Sequence, residues 1–121
     1  MGKNLKNYEL MVVLKPLLPD DFRKEIHKEF VKMIKDAGGD VLDVDVWGKR
    51  YLSYKIKGHN EGYYIVYEFE VDPETIPEMN RKLQLKQEIL RFIIMKIVHE
   101  IHFKNTIRVK IFSYFIGYML N

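Results

Sequence analysis

Residues 47–56 of the chain read WGKRYLSYKI. Large apolar side chains alternate here with polar ones, which is the period of two expected of a half-buried β-strand. Successive side chains of a strand point to opposite faces, so the run divides into two sets. One face is predicted to carry Leu52, Tyr54 and Ile56, and the other Tyr51, Ser53 and Lys55.

The same stretch and its continuation carry four cations and no acid: Lys49, Arg50, Lys55 and Lys57. A basic strand surface of this kind suits a polyanion. The net charge of the whole chain is only +3, so a nucleic-acid-binding function must rest on this local cluster. Charge alone favours a simpler interpretation, in which the lysines keep an edge strand soluble and unpaired.

The composition indicates one globular domain. With 121 residues, 47% of them hydrophobic and 31% charged, the chain is long enough for one core and too short for two ordinary ones. The absence of cysteine excludes a disulfide framework and a thiolate zinc site. The sequence shows neither the apolar core of a signal peptide nor a run of about 20 apolar residues, so we expect a cytoplasmic protein that does not bind a membrane.

Strand and helix patterns alternate outward from this stretch. The predicted elements are a strand at 8–14, a helix from residue 20 to the glycine pair 38–39, a strand at 41–57 bent or bulged near Gly48, a turn at 58–62, a strand at 63–71, a helix beginning at Asp72-Pro73 and a strand at 89–95. This β-α-β-β-α-β order predicts an α+β, ferredoxin-like fold, in which a four-stranded antiparallel sheet carries two helices on one face.

The predicted sheet has a second face that no helix covers. Its composition is apolar for a solvated surface, although scattered exposed apolar residues are common. A partner protein could therefore cover it. The residues predicted to bind a partner on this open face are Met11, Val13, Tyr51, Tyr64, Val66 and Ile93, with Arg91 and Met95 beside them.

Four segments together resemble one family. They are Tyr8-Glu9 in the first strand, the run from Gly48 to Ile56 in the second, Gly62-Tyr63-Tyr64 in the third and the run from Arg91 to Lys96 in the last. The second is similar to a signature of glycine, a variable residue, one or two basic residues, leucine, alanine or serine, tyrosine, any residue and isoleucine. Motif order and spacing agree over about residues 7–96, where the chain resembles the bacterial ribosomal protein S6 family.

The resemblance implies a ferredoxin-like domain in the platform of the small ribosomal subunit, which binds the ribosomal RNA of that subunit as a heterodimer with ribosomal protein S18. It implies a structural component of the cytoplasmic ribosome and not an enzyme, with no cofactor, metal ion or small-molecule substrate. Tyr51 and Tyr64 could stack on bases or on partner side chains. Cations can contact phosphates without reading sequence. The expected RNA-binding residues are Lys49, Arg50, Lys55, Lys57 and Arg91.

The resemblance ends at about Lys96, where a stop or a short polar tail is expected. Instead 25 residues follow, Ile97 to Asn121, and they are apolar and basic. Within them, residues 106–111 alternate as a strand. We therefore divide the chain into a ferredoxin-like domain at 1–96 and an atypical extension at 97–121. The extension could pack on the sheet, bind a partner or remain unfolded.

Fold does not fix function, so other functions on this fold must be weighed. An acylphosphatase needs a glycine-rich anion-binding loop after the first strand, whereas residues 15–21 hold no glycine and two acids. A stand-alone RNA-recognition domain needs a basic-Gly-aromatic-small-aromatic strand, which residues 61–65 match poorly. A regulatory module that binds small molecules or oligomerises would suit the apolar face. His99 and His102 lack zinc-protease spacing, so no metal site is expected.

Overall fold

The computed structural model describes residues 4–97. The elements are β1 (Lys6–Leu14), α1 (Asp20–Asp36), β2 (Asp40–Ile56), β3 (His59–Val71), a 3-10 turn (Pro73–Thr75), α2 (Ile76–Gln84) and β4 (Ile89–Lys96). The strands form one antiparallel sheet in the order β2-β3-β1-β4. The predicted α+β, ferredoxin-like fold is confirmed. Most of the extension, and with it His99 and His102, lies outside the described residues.

Local sequence explains where each helix begins. Asp20 and Asp21 form the first turn of α1, where carboxylates favour the positive end of the helix dipole. Before α2, the Asp72 side chain accepts a 2.9 Å hydrogen bond from the backbone N–H of Glu74. Pro73 opens the 3-10 turn, where its missing N–H costs nothing. The helix start predicted at Asp72-Pro73 is therefore confirmed, with one 3-10 turn preceding the α-helix.

The larger core lies between the helices and one face of the sheet. Phe30 of α1 and Leu83 of α2 both belong to it, so the two helices cover the same face. The Phe30 ring meets the ring of Tyr67 edge-on, with centroids 5.5 Å apart. The Tyr67 hydroxyl, although buried, lies 2.9 Å from Nδ1 of His27 and is thereby satisfied. The same face of the sheet contributes the buried side chains of Tyr8, Leu10, Val12, Leu14, Ile65, Phe69 and Val71.

The opposite face of the sheet also carries a buried cluster, so the prediction of an open face is wrong. Four residues assigned to that open surface, Met11, Val13, Tyr64 and Val66, are at most 6% exposed. The physical reason is that the end of β2 and the start of β4 bring apolar side chains against them. This second cluster is completed by the buried Ile56 and Leu90 and by the partly buried Trp47, Leu52, Ile93 and Met95.

β2 and β3 form a long hairpin with irregular pairing. The register shifts near Val41, between Val46 and Gly48, and again beyond Tyr51. Gly48 has a φ of 80°, which a residue with a side chain rarely adopts. The predicted bulge near this glycine is confirmed. Such shifts change which side chains of β2 reach which face of the sheet.

The hairpin turn is shorter than the predicted turn at residues 58–62. β2 ends at Ile56 and β3 begins at His59, so only Lys57 and Gly58 connect the strands. Both residues have positive φ, 49° and 82°, and such two-residue turns match the twist of a hairpin. The prediction is wrong because residues 59–62, although polar and glycine-containing, continue the ladder as part of β3.

The end of the hairpin reaches β4, although β2 and β4 form opposite edges of the sheet. The Lys57 ammonium donates a hydrogen bond to the backbone carbonyl of Ile89, at 3.3 Å. The Arg91 guanidinium lies 5.9 Å from the centre of the Tyr54 ring. The hairpin therefore curls over the sheet face that carries no helix, and the second cluster lies beneath it.

Tyr64 supplies a test of this second cluster. Its hydroxyl is buried and no hydrogen-bond partner for it is found among the described residues. An unsatisfied buried donor costs about 1–3 kcal/mol, whereas removing it together with its desolvation penalty can be neutral or favourable. We expect Tyr64→Phe to leave the free energy of unfolding unchanged or raise it by up to about 1 kcal/mol. Urea denaturation followed by circular dichroism measures the difference.

Tyr67→Phe is the matched control for this substitution. Tyr67 is equally buried, but its hydroxyl has His27 as a partner. Losing that hydrogen bond is expected to lower the free energy of unfolding by about 1 kcal/mol. If Tyr64→Phe proved as destabilising as Tyr67→Phe, the Tyr64 hydroxyl would have a hydrogen-bond partner in solution and would not be an unsatisfied group of the second cluster.

Candidate nucleic-acid interface

The five cations predicted to bind RNA are all exposed in the structure. Four of them lie on the β2–β3 hairpin, and the fifth lies near the start of β4, where the hairpin end makes contact. The fold thus brings together side chains that are far apart in sequence. The exposed set is Lys49, Arg50, Lys55, Lys57 and Arg91.

Cross-strand pairing places these cations on both sides of the hairpin. Lys49 pairs with Tyr63, whose side chain packs against the helix-side core. Arg50 pairs with Gly62, one position along, and so points to the opposite side. The charge of Arg50 is felt by Tyr64 on that side of the sheet: burial raises the pKa of Tyr64, and the positive charge of Arg50 lowers this pKa in part. An anionic chain crossing the hairpin would therefore meet positive charge on either side.

Negative charges gather towards the other end of the same two strands. Asp43 pairs with Glu68 and Asp40 pairs with Glu70, so like charges stand directly opposite each other. Glu68 pairs in turn with Glu9 of β1, which is only 2% exposed. Opposed like charges weaken a sheet slightly. Here they make one end of the β2–β3 hairpin acidic, whereas its other end is basic. This separation favours approach of a polyanion to the basic end.

The structure separates the two tyrosines predicted as stacking residues. Tyr64 is completely buried and offers no ring face, whereas Tyr51 is 80% exposed. Tyr51 pairs with Glu61, which shares the helix side of the sheet with Tyr63. The prediction that Tyr51 and Tyr64 share a face is therefore wrong, because the register shift at Gly48 exchanges the two sets of β2 side chains.

Only part of the predicted partner-binding set remains accessible. Tyr51 is exposed and Ile93 is half-buried, while Met11, Val13 and Tyr64 are fully buried and Val66 nearly so. The sequence alternation identified the face to which most of these residues belong. It gave no sign that the chain's own hairpin covers them, because the covering contacts join residues more than 30 positions apart.

The described residues offer cationic contacts on the hairpin and at the start of β4. Within residues 4–97, no three histidine, cysteine or acidic side chains are grouped so as to hold a metal ion. Neither described helix has the length and apolar character needed to cross a membrane. The arrangement can bind phosphates by charge and hydrogen bonding and can present one tyrosine ring.

Comparison with known proteins gives a consistent result. A family model described as ribosomal protein S6 matches residues 7–96. The small ribosomal subunit protein bS6 of Dictyoglomus turgidum is 38% identical over 90 residues, which cover 74% of this chain and 93% of that protein. The protein of the same name from Moorella thermoacetica is 32% identical over 96 residues, covering 79% of this chain and 98% of that protein.

The fold agrees with a solved structure. The crystal structure of 30S ribosomal protein S6 from Thermotoga maritima superposes with a TM-score of 0.73 at 25% sequence identity. The superposition covers 88% of this chain and 98% of that chain.

Proposed function

The chain belongs to the ribosomal protein S6 family, and from this premise we propose that it binds ribosomal RNA in the platform of the small subunit as a heterodimer with ribosomal protein S18. It is a small-subunit ribosomal protein with a ferredoxin-like fold, and its place on the ribosome makes it cytoplasmic. Its relatives are named as ribosomal proteins, so we expect a structural role and no enzymatic activity.

The observation that carries the RNA-binding proposal is the gathering of five exposed cations at the hairpin and the adjoining part of β4. None of these side chains forms a salt bridge with an acid within residues 4–97. By contrast, Lys28, Lys32 and Arg81 on the helices each lie beside a carboxylate of their own helix. Cations without a carboxylate are free to contact phosphates, and we assign the RNA contacts to Lys49, Arg50, Lys55, Lys57 and Arg91.

The contact with S18 is proposed for what remains accessible around the second cluster. Ile93 and Met95 of β4 are half-buried, and they border the fully buried Met11 and Val13. A partner could extend the second cluster over this border without displacing the hairpin. Tyr51 lies on the other side of the sheet, and the RNA contact is the better assignment for it.

The decisive experiment compares the chain alone, S18 alone and the two proteins together. Each is titrated against a platform fragment of small-subunit ribosomal RNA at physiological salt, with binding followed by fluorescence anisotropy. We expect the pair to bind at least about tenfold more tightly than either protein alone, because the partner adds contacts without a second loss of translational freedom.

Three outcomes would redirect the interpretation. If the pair binds no better than the separate proteins, the heterodimer proposal is wrong. If the chain alone binds the fragment as tightly as the pair, a stand-alone RNA-binding module is favoured. A regulatory ferredoxin-like module is favoured if neither the chain nor the pair binds the RNA.

A further inference from the structure

The Tyr51 ring is the most exposed aromatic side chain in the described part of the molecule. It is 80% exposed, whereas Phe22 and Tyr54 follow at 44% and 39%. A ring this exposed contributes little to the core, so packing does not account for its size. No ring contact or hydrogen bond to Tyr51 is found within residues 4–97.

The rings of the other described tyrosines all contact a neighbouring side chain or are buried. Two stack on a neighbouring ring, two lie against an arginine, and one is enclosed in the second cluster. In that order they are Tyr8 on Phe69, Tyr67 on His27, Tyr63 beneath Arg23, Tyr54 beneath Arg91, and the buried Tyr64. Tyr51 is therefore the exposed tyrosine of residues 4–97 whose ring contacts neither another ring nor a cation.

The backbone holds Tyr51 in a fixed position beside positive charge. It pairs with Glu61 in the hairpin ladder, so its Cα position is set by β3. Lys49, two residues before it, lies on the same side of the strand, and Arg50 lies between them. An aromatic ring beside cations is the combination with which proteins bind unpaired nucleotides, because the ring stacks on the base while the cations contact phosphates.

The Glu61 carboxylate beside Tyr51 favours a nucleobase over a phosphate as the group that contacts the tyrosine ring. Directly paired residues have Cβ atoms about 5 Å apart, so its carboxylate is within reach of a base stacked on Tyr51. No hydrogen bond or ion pair to Glu61 is found within the described residues. A carboxylate repels a phosphate but accepts hydrogen bonds from amino groups. Its presence beside the ring favours a nucleobase that carries an exocyclic amino group.

We propose that Tyr51 and Glu61 form a base-recognition site, in which an unpaired nucleobase stacks on the tyrosine ring and donates a hydrogen bond from its exocyclic amino group to the carboxylate. The site rests on the RNA-binding function proposed above and adds base selectivity to it. Adenine, cytosine and guanine carry such an amino group and uracil does not, so uracil is the disfavoured base.

The test uses the full-length chain and single-stranded oligocytidylate and oligouridylate of equal length, compared by fluorescence anisotropy at one salt concentration. The wild-type protein is expected to bind oligocytidylate about fivefold more tightly than oligouridylate. Tyr51→Ala should weaken binding to oligocytidylate about tenfold, and Tyr51→Phe should retain it, because stacking needs the ring and not the hydroxyl. Glu61→Gln should remove the preference, since an amide also donates to the uracil carbonyl.

Phe22→Ala is the control. It removes an exposed aromatic ring from α1 instead of β2, and it should change the affinity neither for oligocytidylate nor for oligouridylate. The proposal is wrong if Tyr51→Ala binds oligocytidylate like the wild type, if Tyr51→Phe is as weak as Tyr51→Ala, or if the wild type shows no preference. Unchanged oligonucleotide binding combined with weaker binding to S18 would place Tyr51 in a protein interface instead. If wild-type and Tyr51→Ala proteins bind the ribosomal RNA fragment equally, only this site is refuted, and the RNA-binding function stands.

Discussion

Replacing Lys49, Arg50 and Lys55 together by glutamine is expected to weaken binding to the small-subunit ribosomal RNA fragment by ~100- to 500-fold at about 0.1 M salt. Each phosphate contact that is lost makes the fall of log affinity with log salt less steep by about 0.7–0.9. Three lost contacts therefore reduce the slope by about 2–3, and the two proteins should converge as salt approaches about 1 M. Titrations at several salt concentrations measure both quantities.

The choice of these three cations follows from the structure. Lys57 and Arg91 contact Ile89 and Tyr54, so removing their charges would also disturb the closure of the hairpin on β4. Lys49 and Lys55 make no side-chain hydrogen bond or ion pair within residues 4–97, and Arg50 donates only to the carbonyl of its neighbour Lys49. Their loss should therefore change binding without changing the fold, which the thermal unfolding curve verifies.

A triple variant of Lys28, Lys32 and Lys82 controls for net charge. These exposed lysines lie on the helices, away from the hairpin, and their replacement by glutamine removes the same charge. If RNA binding depends on overall charge alone, both triple variants lose affinity equally, and the assignment of the hairpin as the RNA surface is wrong. If the slope of log affinity against log salt is unchanged in the hairpin variant, the RNA-binding surface lies elsewhere on the protein.

Much of the fold could be predicted because its signals are local. Strand alternation, the Asp20-Asp21 helix start, the Asp72 cap and the bulge at Gly48 depend on a few adjacent residues. Element order then leaves few topologies, since crossovers in such sheets are right-handed. The turn was misplaced because polarity and glycine also mark exposed strand residues, as in residues 59–62.

The closure of the hairpin on β4 could not be predicted, because its cause is not local. Ile56 and Leu90 read as ordinary strand residues, and nothing near either of them shows that they share a cluster. The face of Tyr51 was misassigned for a related reason. A register shift appears only in the pairing of two strands, whereas the sequence of β2 alone keeps its alternation.

The same closure bears on how well the cations can bind. A free hairpin would have to lose conformational entropy when it docks on RNA, and that loss subtracts from affinity. Here Ile56 is buried, and Lys57 donates to the Ile89 carbonyl, so the end of the hairpin is fixed before binding. The second cluster thus links core packing to the candidate interface. The cations gain from a rigid support that their own sequence pattern does not reveal.

Gly39→Ala is expected to destabilise the protein by at least about 3 kcal/mol, because the added methyl group has no room. A Cβ atom at Gly39 would stand 1.9 Å from the backbone oxygen of Glu70 and 2.4 Å from Cγ1 of Val71. Glu70 pairs with both Asp40 and Asn7, so its carbonyl cannot withdraw without disturbing the pairing of β3 on two sides. Urea denaturation gives the change in the free energy of unfolding.

Gly58→Ala separates this steric clash from the general cost of replacing glycine. Gly58 has a φ of 82° and no atom within 4 Å of the added Cβ, so alanine there meets only the backbone strain of about 1–2 kcal/mol. Gly39 is also held by its N–H, which donates to the Ile34 carbonyl at 3.0 Å, and this prevents the loop from moving away from Glu70. Should Gly39→Ala cost no more than Gly58→Ala, the contact between this loop and β3 cannot be as close as described. The larger loss at Gly39 would show that the α1–β2 connection is fixed by backbone packing, which in turn fixes where β2 begins.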